Sequence, residues 1–142
     1  MLTVKYIETE DEYTTAVTIR KEVFIVEQNV PLEEEIDEYE NTSTHILALE
    51  DDKAVGTARW RYTDEGVKLE RFAVLEPYRN HGVGRALVEF TVDELREENM
   101  LYLNAQEYVI PFYQKYNFEE IGDIFYEADI PHKKMIYNKG IV

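Results

Sequence analysis

A chain of 142 residues, 44% of them apolar, is long enough to bury one sizeable core, and its lack of cysteine excludes disulfides, thiolate nucleophiles and cysteine-based zinc sites together. Thirty acidic side chains against fifteen basic ones give a formal charge of −15, a field that repels nucleic acid and anionic membranes and attracts cationic solutes. The six glycines and four prolines are scattered rather than gathered into a linker, so one domain over 1–142 is expected. The first twenty residues carry Glu8, Glu10, Asp11 and Glu12 and no apolar run long enough for a signal peptide or a membrane span, the pattern of a cytoplasmic protein.

Leu2, Val4 and Tyr6 alternate with polar residues and predict a first strand. From Glu10 to Gln28, Tyr13, Ala16, Val17, Arg20, Val23 and Phe24 recur at helical spacing, with Thr9 or Asp11 able to cap the helix. The run Glu33, Glu34, Glu35, Asp37, Glu38, Glu40 reads either as a solvated loop or as a lip that draws in a cationic molecule. Three strands follow at 45–50, 54–62 and 67–75, separated by the turn-like Asp51-Asp52-Lys53 and Thr63-Asp64-Glu65-Gly66. Val83, Ala86, Leu87 and Phe90 mark an amphipathic helix reaching about Glu98, and Leu101 to Ala105 is a short apolar strand. A helix from about Glu107 to Tyr116 and two strands near 118–128 and 132–137 complete a mixed α/β sheet.

The most informative stretch runs from Lys68 to Leu87, where a strand, a basic glycine loop and a helix start follow one another. Gly82 and Gly84 carry no Cβ to block backbone approach, and the free N–H groups and dipole of a helix start favour anions. Arg79 and Arg85 add positive charge, a local reversal of sign in an acidic chain. No Gly-Lys-Ser/Thr for a nucleoside triphosphate and no complete Gly-x-Gly-x-x-Gly for a dinucleotide is present.

Arg79-x-x-Gly82-x-Gly84 resembles the coenzyme A pyrophosphate loop of the GNAT N-acetyltransferases, whose pattern is Arg/Gln-x-x-Gly-x-Gly/Ala after a Glu-Arg-x-Ala-Val strand. Leu103-Asn104-Ala105-Gln106 and Pro111-Phe112-Tyr113-Gln114-Lys115-Tyr116-Asn117-Phe118 are similar to later segments of that family, with Asn117 where the pattern has glycine. Asn tolerates the left-handed backbone that follows a helix. Arg20-x-x-Val23-Phe24-x-Val26-Glu27-Gln28-Asn29-Val30-Pro31 and Ile130-Pro131-His132-x-x-Met135 resemble the branch of YjcF- and ElaA-like acetyltransferases. The resemblance implies a mostly antiparallel sheet splayed between two parallel strands and flanked by about four helices, with the pantetheine arm of acetyl-CoA in the gap.

It also implies residue roles. Phe72, Ala73 and Val74 offer backbone hydrogen bonds to pantetheine, and Arg79, Asn80, His81, Gly82, Val83, Gly84 and Arg85 hold the pyrophosphate. Gln106 stands where many relatives have a cofactor-contacting asparagine. Tyr113 matches the tyrosine that protonates the departing thiolate, and its alternative role is aromatic packing. Phe24, Glu27, Gln28 and Glu35 are candidates for acceptor selection, since the first helix and its loop cover the gap in relatives; homodimers are common for the fold.

An alkylammonium with a pKa of ~10 is neutral in only about one part per thousand at pH 7, a deficit of ~4 kcal/mol, so a base is required. Glu70 is the first candidate, because strict alternation places Glu70, Phe72 and Val74 on one face bordering the gap; a paired surface glutamate is the alternative. His132 is the second, as an imidazole in an Ile-Pro-His turn, or else a core histidine. Arg71 is an acceptor contact or an ion-pair partner. A covalent route is disfavoured because the single serine, Ser43, lacks a Gly-x-Ser-x-Gly setting, and His45, His81 and His132 show no ligand spacing, so no metal is expected. The reading that results is an acetyl-CoA-dependent N-acetyltransferase acting on a primary amine, small molecule or peptide, with a polyamine, an aminoglycoside or a lysine side chain favoured by charge. A non-catalytic acyl-CoA sensor and a nucleotide-binding enzyme are the rivals.

Overall fold

A computed structural model describes residues 1–139. Seven strands, β1 (Leu2–Tyr6), β2 (Thr44–Glu50), β3 (Lys53–Thr63), β4 (Gly66–Val74), β5 (Leu101–Gln106), β6 (Phe118–Glu127) and β7 (Ile130–Tyr137), form one sheet in the order β1-β2-β3-β4-β5-β7-β6. Every neighbouring pair is antiparallel except β4 and β5. The helices are α1 (Glu10–Arg20), α2 (Leu32–Glu35), α3 (Val83–Glu94) and α4 (Ile110–Gln114).

Thr9 and Glu12 start α1 with reciprocal capping: Glu12 N–H donates to the Thr9 hydroxyl, and the Glu12 carboxylate accepts from the Thr9 N–H. The sequence-based helix to Gln28 is continuous, but from Lys21 to Glu27 it widens into a π-helix. α1 buries Ala16 and Ile19 with Leu47 and Ala73 on one face of the sheet. α3 and α4 bury Val83, Leu87, Val88, Ile110 and Tyr113 on the other, against Val67, Leu69, Leu101 and Leu103. The expected helix at 107–116 divides into a 3₁₀ turn over Glu107–Val109 and the short α4.

Two departures from regular geometry create the functional region. The parallel pairing of β4 and β5 covers only Val67↔Leu101, Lys68↔Tyr102 and Leu69↔Leu103, after which the strands part. On its other edge β4 shifts register against β3 between Thr57↔Ala73 and Arg59↔Glu70, so Arg71 and Phe72 together oppose Ala58. Arg71 sits at φ 60°, left-handed backbone for a residue with a Cβ. This bulge corrects the alternation expected for β4. Val67 and Leu69 face the α3 side and so do Phe72 and Val74, whereas Ala73 faces α1; Glu70 therefore does not share a face with Phe72 and Val74.

The acidic run is not a solvated loop throughout. It forms α2 and a turn whose Glu35, Asp37 and Glu40 side chains are 2%, 22% and 10% exposed. Leu87 lies fully buried between α3 and the sheet. Leu87→Ala is expected to lower stability by about 2–5 kcal/mol, read as a reduced urea midpoint with an unchanged denaturant slope.

Candidate active site

Arg59, fully buried on β3, organises one wall of the site. Its Nε and Nη2 donate to Glu70 at 3.1 and 2.8 Å, its Nη1 to Glu40 at 2.6 Å and Asp37 at 3.0 Å, and its Nη2 also to Asp37 at 2.7 Å. Arg20, 1% exposed, reaches Glu35 and Glu40 from α1. Arg71 binds the Glu35 carboxylate at 2.8 Å and donates to the Glu34 carbonyl at 3.0 Å. Glu35, Asp37 and Glu40 are thus matched by arginines from α1, β3 and β4, and the segment is fastened across the strand that carries the bulge. Burial pushes Glu40 up, but hydrogen bonds and charge from Arg20, the Tyr13 hydroxyl and Arg59 outweigh it and bring the carboxyl down to about 2. Burial likewise raises Asp37 and Glu70, and in each the cationic partners win, leaving both below the usual carboxylate range. In Glu35 burial prevails over Arg20 and Arg71, and its pKa is raised.

Where β4 and β5 part, a cleft of about 640 Å³ opens. It gathers Phe24, Gln28, Glu35, Glu70, Arg71, Phe72, Gln106, Tyr113 and His132, nine of the positions singled out in the sequence. Gln106 Nε2 donates to Gln28 Oε1 at 2.7 Å, and Gln28 Nε2 donates to the Tyr108 hydroxyl at 3.3 Å, so Gln28 bridges the end of the π-helical segment to the far side of the splay. Sequence reasoning missed the lining residues Lys68, Asn104, Tyr108 and Glu127. A signal for Glu127 was present in its place beside the Ile-Pro-His turn. Its hairpin turns through Ala128 and Asp129 at φ 49° and 62° without a glycine, so the usual mark of such a turn is missing.

The glycine loop lies outside this cleft's lining. Gly82 stands at the start of α3 with φ 85° and no side chain caps the helix, which leaves its first N–H groups without a side-chain acceptor at the cap. A Cβ on Gly82 would meet nothing within 4 Å, so that residue is required for its backbone angle. A Cβ on Gly84 would lie 3.1 Å from the Phe112 ring, so that residue allows α3 to approach α4. Arg79 donates to the Val74 carbonyl at 2.9 Å and to Glu27 at 2.9 Å, and Arg85 pairs with Glu89 at 3.3 Å. Glu27, expected in acceptor selection, is therefore Arg79's counter-ion and does not line the cleft. Val83 and Ala73 are buried and offer only backbone, Val74 packs against the α3-side core, and Asn80, at φ 66°, and His81 are surface residues of the loop.

The three residues singled out for proton transfer, Glu70, Tyr113 and His132, all line the cleft. Glu70 shares its carboxylate among Arg59, Arg61 at 2.7 Å and Lys68 at 3.4 Å. Tyr113 is 8% exposed, packed edge-on against Phe72 and Phe118, and its hydroxyl has no hydrogen-bond partner among the described residues. Burial, with a smaller contribution from Tyr108, pushes that phenol far above its ordinary range, so it stays protonated. His132 is 7% exposed and stacks on Phe125, and its Nδ1 lies 2.6 Å from the Ile130 carbonyl. A carbonyl only accepts, so Nδ1 carries the hydrogen and the neutral ring keeps its lone pair on Nε2, with Glu127 Oε2 3.8 Å away.

Residues 8–139 match the acetyltransferase (GNAT) domain, and the chain belongs to that family, an acyltransferase class. It is 41% identical to the uncharacterized N-acetyltransferase YjcF of Bacillus subtilis (strain 168) over 130 residues, covering 89% of this chain and 93% of the relative. It is 32% identical to protein ElaA of Escherichia coli (strain K12) over 121 residues, 80% of this chain and 79% of that protein. The crystal structure of E. coli ElaA superposes with a TM-score of 0.87 at 28% identity, covering 97% of this chain and 100% of that one. A GNAT family acetyltransferase from Elizabethkingia anophelis, solved with acetyl-CoA bound, shares the fold with a TM-score of 0.68 at 18% identity, over 95% of this chain and 94% of that chain.

Arg59→Ala is expected to destabilise by about 3–5 kcal/mol, since it strands buried carboxylates, and chemical denaturation measures it. The depressed groups Asp37, Glu40 and Glu70 contribute stability that is present above their unfolded values near 4 and is lost as pH falls toward about 2. Glu35, raised, works in the opposite sense. An acid titration of wild type followed by circular dichroism should show the net loss, and the variant should show a shallower one.

Proposed function

We propose that this chain transfers an acetyl group from acetyl-CoA directly to a primary amine. The observation that carries the reading is the meeting, at the β4–β5 splay, of the unpartnered Tyr113 hydroxyl and the His132 Nε2 lone pair in one cleft. The residues fit acetyl-CoA: an uncapped helix start behind a glycine at φ 85°, flanked by Arg79 and Arg85, suits a diphosphate. The acetyl-CoA held by the E. anophelis protein of the same fold supports this assignment. Arg79, now paired with Glu27, would hold the phosphate oxygens there.

The bound thioester supplies an activated acyl carbon. On this reading the splayed ends of β4 and β5 hold the pantetheine arm, with Gln106 at the β5 edge. The bulge leaves one residue of the Arg71–Phe72 pair without a β3 partner, and an N–H freed there is the donor for the carbonyl oxygen. His132 Nε2 takes the proton from the amine, and Glu127 favours the imidazolium that results. Tyr113 donates its proton toward the departing sulfur. Glu70, held low by three cations, serves as the anchor of the wall rather than as the base. Ser43 donates to the Tyr39 carbonyl at 2.7 Å and stands outside the cleft, consistent with transfer that forms no acyl-enzyme.

Thiol release from acetyl-CoA, followed across a panel of amines, tests the reading. Tyr113→Phe should lower kcat by about 10²-fold or more while leaving acetyl-CoA binding in place. His132→Ala should lose as much at neutral pH and regain activity as alkaline pH deprotonates the amine in bulk. Firm acetyl-CoA binding with no acetylation of any amine would replace this reading with that of an acyl-CoA sensor.

A further inference from the structure

The acceptor end of the cleft carries carboxylates that the ion-pair network does not use. Glu35, Asp37 and Glu70 are taken up by Arg20, Arg59, Arg61, Lys68 and Arg71, and Arg71 and Lys68 are in turn neutralised within the wall. Glu33 and Glu34 on α2 and Glu127 on the β6–β7 hairpin line the same cleft from its two sides. Among the described residues Glu33 and Glu34 have no cationic partner, and Glu127, whose side chain is 51% exposed, has only Asn104 at 3.4 Å and the His132 ring. Among the described residues the cations that line the cleft, Lys68 and Arg71, are both paired with carboxylates. Between these sides lies Tyr113, 8% exposed as a residue, whose hydroxyl opens to the cleft and has no hydrogen-bond partner among the described residues, which marks the floor as a place where a polar ligand group is received.

We infer that the amine acceptor is a dication, a diamine or polyamine whose reacting nitrogen enters between Tyr113 and His132 while a second ammonium is held by the free carboxylates of Glu33, Glu34 and Glu127 at the rim. The inference rests on the proposed acetyl transfer and narrows it to a substrate class. A neutral tail forgoes these contacts, and an anionic tail is repelled by all three carboxylates. Each rim pair with an ammonium is solvent-exposed and contributes at most about fivefold, and added salt weakens it.

Three probes of similar reach separate the possibilities: 1,4-diaminobutane, n-butylamine and 4-aminobutanoate, whose far ends are cationic, neutral and anionic. Acetylation is followed by thiol release, and binding of each probe to the protein–CoA complex by calorimetry. The expected kcat/KM order is diamine over butylamine over aminobutanoate, with the diamine about tenfold ahead of butylamine at low salt. A Glu33→Gln/Glu34→Gln/Glu127→Gln triple variant, checked for an unchanged melting temperature and unchanged acetyl-CoA binding, should bring the first two within about twofold. Equal or better use of butylamine or aminobutanoate by wild type would overturn the inference while acetyl transfer stands. Selective binding of the diamine without turnover would uphold the inference and defeat the catalytic reading. A diamine that the complex neither binds nor acetylates would overturn the inference.

Discussion

The structure depends on how Arg59 is neutralised. A guanidinium with no exposure in the middle of a sheet is tolerable only when its donors are matched, because an uncompensated buried charge costs several kcal/mol. Asp37, Glu40 and Glu70 match it, and two of these come from a stretch that composition alone would leave in solvent. The requirement pulls residues 31–40 across β3 and β4, where Arg20 and Arg71 complete the arrangement. Half of the chain's most concentrated acidic run, Glu35, Asp37 and Glu40, is thereby used internally, and the carboxylates left over at the cleft rim acquire meaning.

The same fastening supports the geometry of β4. Arg71 adopts a left-handed conformation that its side chain alone would not favour, and its guanidinium is held by α2 carbonyls and by Glu35 and Asp37. The ion pairs and the bulge sustain each other. Just ahead of the bulge, after Leu69, β4 parts from β5, and the two parallel strands leave a cleft between them. Gln28 spans that cleft through Gln106 and Tyr108, so the α1 side of the molecule meets the β5 side by neutral hydrogen bonds rather than charge.

Much of this was legible in the sequence. Period-two and period-3.6 patterns placed β1 to β7, α1 and α3 within a few residues, and the Arg-x-x-Gly-x-Gly pattern pointed to the family before any coordinates. The rest was hidden for physical reasons. A bulge inverts alternation without a change of composition, so Glu70 was assigned the face of Phe72 and Val74. Glu27 and Glu35 were read as candidates for acceptor selection, and their ion pairs were hidden because the partners, Arg79, Arg20 and Arg71, are distant in the chain. That the missing Cβ of Gly84 also admits the Phe112 ring depends on a residue 28 positions further on, which no local pattern shows. Tyr108 and Glu127 reach the cleft only through the order β5-β7-β6, which no local signal encodes.

The central claim is that the splayed sheet and the α3 start hold acetyl-CoA with its diphosphate between Arg79 and Arg85. Calorimetric titration of purified protein with acetyl-CoA, beside an Arg79→Ala/Arg85→Ala variant of equal thermal stability, tests it most directly. The account predicts saturable one-to-one binding by wild type, weakened at least tenfold in the variant and more strongly in low salt. Undetectable binding by folded wild type, or equal binding by both proteins, would contradict it.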